Sequence, residues 1–111
     1  MKNIEMIDLY NRLNEFVQKD KVVPVKISYS ISRNMSRIAE ELKPYEEARM
    51  KLIEGFEEKS DEEKNKIEKD LTELLMIDCN VDLFKFGLEE LERCEGLSTK
   101  EFMLLEQLIA E

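Results

Sequence analysis

The only side chains here numerous enough to carry chemistry are carboxylates. Two pairs have helical spacing, Glu54-x-x-Glu57 and Asp70-x-x-Glu73. Paired acids on facing antiparallel helices can bind Mg²⁺ and so assist pyrophosphate release from a nucleoside triphosphate. Two facts weigh against that use. Glu54 and Glu57 flank Phe56 rather than lie on the apolar seam that would face the other pair. A chain with 26 acidic residues also produces such spacings by chance, and acids near a helix-joining loop are solvated by default. The rest of the inventory is thin. With no His, there is no Cys-His nucleophile, no Ser-His-Asp triad and no imidazole metal site. Two Cys cannot build a four-thiolate zinc site or a disulfide framework, and three scattered Gly cannot cradle a phosphate. The expectation is a protein that is not an enzyme, with no metal and no cofactor.

What the sequence has instead is charge, at 39% of residues against about 25% in ordinary globular chains. The net charge of -9 is uneven. Residues 1–59 hold 11 basic and 11 acidic side chains, while residues 60–111 hold 6 basic and 15 acidic. Within the balanced half, residues 21–38 carry Lys21, Lys26, Arg33 and Arg37 and no acid. Two readings follow. The basic segment pairs with the acidic half inside the fold or across a dimer, or Lys26, Arg33 and Arg37 form a face for an anionic partner. Four charges are a weak nucleic-acid signal in an acidic protein, so a nucleic acid is not expected as partner.

Apolar spacing gives the elements that must position these residues. Met6, Leu9, Tyr10, Leu13, Phe16 and Val17 mark a helix from about Asn3, its expected N-cap, to Lys19. Val22-Val23-Pro24-Val25 is extended or a turn. From Lys26 to Glu58 a heptad seam runs through Ile31, Met35, Ile38, Leu42, Tyr45, Arg49, Leu52 and Phe56. Such a helix would be about 45–50 Å long, kinked or divided near Leu42 by Pro44, with Arg49 forced to snorkel or pair. The small stripe Ser28, Ser32, Ser36 and Ala39 is either a close-approach surface or a polar one. A capping box, Ser60-Asp61-Glu62-Glu63, opens a further helix to about Met76 with Ile67, Leu71, Leu74 and Leu75 inward, and the short connection implies an antiparallel hairpin. A second capping box, Ser98 to Glu101, opens a last helix to about Ala110.

Residues Asp78 to Phe86 change to a two-residue alternation, which predicts a short strand. A lone strand needs a partner, either Lys21 to Ile27 or the same strand in a second copy. The fold class expected is mainly α: one helical domain over residues 1–111, built on a long hairpin with flanking helices and that one strand. The seam residues Ile31, Met35, Ile38, Leu42, Tyr45, Leu52 and Phe56 look too long to be covered by one 17-residue helix, which points to a homo-oligomer, most simply a dimer. Cys79 and Cys94 are expected to be reduced packing residues. No run approaches 18 apolar residues and the first residues lack an apolar signal core, so the expected setting is the cytoplasm, with no membrane partner.

The run Pro24-Val25-Lys26-Ile27-Ser28-Tyr29 with Arg33-Asn34 and Glu41-Leu42-Lys43-Pro44-Tyr45-Glu46-Glu47-Ala48-Arg49 resembles a family of small proteins encoded in tailed phages and prophages of Gram-positive bacteria. Glu73-Leu74-Leu75, Val81-Asp82-Leu83, Leu88-Glu89-Glu90-Leu91, Gly96-Leu97-Ser98 and Leu104-Leu105-Glu106 fit the same pattern. The resemblance covers most of the chain, lies in fold-determining positions, and implies a bacterial host cell as the setting rather than any activity. Three roles fit it: an oligomeric protein-interaction module, an acidic inhibitor or decoy of a host defence protein, and a virion or assembly accessory protein. The paired acids leave a remote fourth, similarity to the Mg-dependent all-α nucleotide pyrophosphohydrolases.

Overall fold

The computed structural model describes residues 1–110. The three- and four-residue apolar steps of the first segment form α1, Asn3–Gln18, which buries Met6, Leu9, Leu13 and Phe16. Its N-cap is Lys2 rather than Asn3. Asn3 is buried one position further on, and its side-chain amide donates to the Leu74 carbonyl at 2.8 Å. Lys2 serves as N-cap through its backbone N–H, which donates to Glu5 Oε1 at 2.7 Å. Asp20 ends the helix in the left-handed region at φ 50.

Pro24 has its fixed φ just before α2, Val25–Glu41. The seam continues across Leu42 into α3, Lys43–Ile53. Pro44 divides the rod as its missing N–H requires, yet Leu42 keeps helical dihedrals at φ -83 and ψ -8. The Leu42 N–H still reaches the Ile38 carbonyl at 2.9 Å, and the Glu46 N–H reaches Leu42 at 2.9 Å. Gly55, at φ 67, terminates α3 instead of lying within a helix, and a 3₁₀ turn, Phe56–Glu58, follows. Ser60 then caps α4, Asp61–Leu75, accepting from the Glu63 N–H. The return half of that capping box goes side chain to side chain, Ser60 Oγ to Glu63 Oε1 at 3.1 Å. Helices α3 and α4 pack on each other, and α4 brings the chain back to α1.

The expected strand is not there. Residues 79–85 form no regular element, with isolated bridges only on either side of them, Lys2 with Asp78 and Phe86 with Ile109. Residues 21–27 do not pair with them, because α2 begins at Val25. What replaces a strand partner is the side chain of Asn34, described below. Two short helices close the chain, α5, Leu88–Glu92, and α6, Thr99–Leu105, the latter with both hydrogen bonds of its Ser98 capping box. A 3₁₀ turn, Glu106–Leu108, then buries Leu108.

The core is made by α1, α2 and α6, with Phe86 added from the connecting stretch and Leu91 from α5. No side chain of α3 or α4 is buried. These two helices form an arm that projects from the core body, and the molecule measures 56 × 25 × 19 Å. Its radius of gyration is 17.5 Å, where a globule of this length would have about 13 Å.

Candidate functional site: a basic and aromatic face on the second helix

One turn of α2 separates its two faces. Ile27, Ile31 and Ile38 point into the core, while Lys26, Arg33 and Arg37, at steps of seven and four, share the outer face. Arg33 is the best positioned of the three. Its Nη1 donates to the Tyr29 hydroxyl at 2.9 Å. Its guanidinium carbon lies 5.9 Å from the Tyr29 ring centre and 5.4 Å from that of Phe84. The two rings meet edge to face at 5.1 Å. Tyr29 nonetheless remains 50% exposed, and Val25, one turn earlier, is 80% exposed.

Phe84 is held there by a clamp. The Asn34 side chain is fully buried, and it uses both ends of its amide on one residue. Nδ2 donates to the Phe84 carbonyl at 2.8 Å, and Oδ1 accepts the Phe84 N–H at 2.8 Å. Ser30 Oγ donates to the same carbonyl at 2.6 Å. A side chain thus supplies the pair of hydrogen bonds that a neighbouring strand would have made, which satisfies the Phe84 backbone without a sheet.

The charges divide into used and unused. Lys21 Nζ lies 3.0 Å from Glu101 Oε1 and donates to the Gly96 carbonyl at 2.7 Å. The Ser98 backbone N–H, seconded by Lys21, holds the Glu101 carboxyl at about 2. Glu90 is buried between Lys26, at 3.7 Å, and Arg93, at 3.0 Å. So Lys21 and, in part, Lys26 serve the acidic half of their own chain. Arg33 and Arg37 have no carboxylate within 4.0 Å among the described residues. Arg33 thus lies beside two aromatic rings, with exposed apolar surface next to it.

The seam residues have a different place from the one their spacing suggests. Ile31, Ile38 and Leu42 are buried inside the chain, chiefly where α1 crosses α2. Met35, Tyr45, Leu52 and Phe56 are half-buried, the last three on the arm where α4 packs, and Arg49 is exposed. One long partner was not needed because Pro44 splits the seam between two short ones. Ser28, Ser32 and Ser36 line an open groove of about 420 Å³ between the end of α1 and α2.

The acid pairs do not converge. Glu54, Glu57 and Glu73 are exposed, and among the described residues no cluster of three or more His, Cys, Asp or Glu side chains is arranged to hold a metal ion. Both cysteines are free, and burial pushes the Cys94 thiol above its ordinary value. Among the described residues no helix is long and apolar enough to cross a membrane.

Tyr29 and Phe84 of this face, and beneath it the buried Asn34, escaped the reading of charge alone. A signal for the last was present. Asn34 stands between Ile31 and Ile38 at steps of three and four, on the core side of the helix, where a polar side chain must find a partner. Comparison with protein-family models, with curated proteins and with solved structures finds no match to this chain.

Proposed function

We propose that this chain is a non-enzymatic protein-interaction module that docks an acidic protein surface on the outer face of α2, in the phage or prophage setting that its resemblance implies. The observation that carries the reading is Arg33, seated on Tyr29 and Phe84 with no carboxylate partner among the described residues. Exposed Lys26 and Arg37 extend the same positive stripe, and the Asn34 clamp keeps its aromatic part rigid, so little side-chain freedom remains to be lost on binding. The test is the triple variant Lys26→Ala/Arg33→Ala/Arg37→Ala as bait in a bacterial host lysate at low salt. The parent retains a partner that elutes as salt rises, because the contact is a partly screened one. The variant, still helical by circular dichroism, loses it. Equal capture by both proteins refutes the reading.

A further inference from the structure

The far end of the arm holds a recess that no other part of the described chain covers. Helices α3 and α4 pack on each other, yet neither buries a side chain. Two helices side by side leave a groove along their seam, which in a larger fold a further element fills. At the core end α4 meets α1. At the tip nothing arrives. The open recess there, about 570 Å³, is lined by residues of the arm alone. Its floor is Ile53, Phe56 and Leu71, all half-buried, and its rim is Glu57, Glu58 and Glu68, all exposed.

The charge around this recess is one-sided. From Ile53 to Leu71 the chain has eight acidic and four basic residues, a net charge of -4. Asp61, Glu62 and Glu63 have a reason of their own, because they stand in the first turn of α4, where the helix dipole favours acids. Glu57 and Glu58 lie in a three-residue turn and Glu68 in the middle of α4, where that reason does not hold. No basic group comes within 4.0 Å of these three carboxylates among the described residues. The four lysines of the stretch go elsewhere. Lys59 reaches Glu63 at 4.0 Å, and Lys66 and Lys69 are exposed and do not line the recess. Lys64 Nζ stands 5.4 Å from the Phe56 ring centre. The ring on the floor therefore already takes a cation against its face, while the carboxylates of the rim stay open.

We propose that this recess docks a basic amphipathic helix of another protein. One large apolar side chain of the partner seats on Ile53, Phe56 and Leu71, and lysines or arginines one turn to either side of it meet Glu57, Glu58 and Glu68. The occupant follows from the two parts of the site. An apolar floor between two helices suits a third helix laid into the groove, and an uncompensated acidic rim favours cations while repelling acidic surfaces and nucleic acids. The inference is independent of the α2 face, which belongs to the core body and takes the opposite charge.

The probe is a synthetic amphipathic peptide of Leu and Lys, about four helical turns long, titrated into the isotopically labelled full chain and followed by NMR at low salt. Saturable amide shifts concentrate in residues 53–71 and weaken as salt rises. A peptide of the same spacing with Glu in place of Lys produces none. Oligolysine, which has the charge without the apolar anchor, binds at least about tenfold more weakly. The variant Glu57→Gln/Glu58→Gln/Glu68→Gln changes only exposed side chains, keeps the parent's circular dichroism, and weakens the Leu/Lys peptide by about tenfold. Four results overturn the proposal: no shifts, shifts centred on the other acidic stretch from Glu89 to Glu95, a triple variant that binds like the parent, or oligolysine that binds as well as the amphipathic peptide. Shifts in residues 53–71 on concentrating the chain alone also overturn it, since they make a second copy the occupant of the recess.

Discussion

Replacing Asn34 with Ala tests whether a side chain can stand in for a strand. The change removes two hydrogen bonds to the Phe84 backbone, both 2.8 Å long. Each is worth about 1 kcal/mol net, and the Phe84 N–H left behind loses its only acceptor, at about 1 kcal/mol more. The Phe84 carbonyl keeps Ser30. The sum is about 3 kcal/mol, a large share of the 5–15 kcal/mol typical of a domain, and a drop in Tm of about 10 °C or more. Denaturant unfolding gives the global value, and amide exchange at Phe84 gives the local one. Asn34→Asp separates the two ends of the clamp. It keeps an acceptor for the N–H but sets an oxygen against the carbonyl. Burial and that carbonyl raise the folded pKa of the new carboxyl above its unfolded value of about 3.9. Its protonated form can donate, so this variant approaches the parent at low pH and loses stability as pH rises through the folded pKa. An Asn34→Ala protein within about 0.5 kcal/mol of the parent, with the Phe84 amide as protected as before, would refute the reasoning.

The remaining predictions concern pH, the core and the arm. Glu101 has its carboxyl lowered from 4.5 to about 2 by the Ser98 N–H and Lys21, so its contribution is complete above 4.5 and is lost as pH falls toward 2; Lys21→Met flattens that part of an acid titration followed by circular dichroism. Leu13→Ala, in the core, costs about 2–5 kcal/mol globally, whereas Leu71→Ala, half-buried on the arm, costs about 1 kcal/mol and accelerates amide exchange in residues 43–75 alone. Gly55→Ala meets no atom within 4 Å but is held at φ 67, so it destabilises the arm by about 1 kcal/mol and leaves the exchange of α1 unchanged; an unaltered arm would show that the turn re-forms without left-handed backbone.

Local physics was legible in the order of residues. The stripe of α1, the break at Pro44 and the caps at Ser60 and Ser98 are each decided within a few positions of the residue concerned, and each forms as its neighbours dictate. Two things were not local. The alternation over residues 78–86 suggests a strand, but Phe84 there is paired by an amide on a helix 50 residues earlier, and no rule of strand pairing looks there. The seam from Ile31 to Phe56 has the period of a coiled coil, but its two halves are covered by different helices of one chain, a division that depends on where α1 and α4 come to rest. The basic residues of the α2 face could be counted in advance. Phe84, which makes it an aromatic face, arrives from the far end of the loop that Asn34 holds.

The placement of α6 has a consequence for the order in which this molecule can form. Met6, Leu9, Leu13 and Phe16 are synthesised well before α6, yet part of their cover is α6 and the turn that buries Leu108. A chain growing at about 5–20 residues per second therefore carries an open apolar helix for several seconds before the cover exists. The α3–α4 arm, whose contacts are close in sequence, needs nothing from later residues and can fold while the ribosome is still at work. The least buried part of the molecule is thus free to form first, and the core closes last, once the segment through Leu108 has been released.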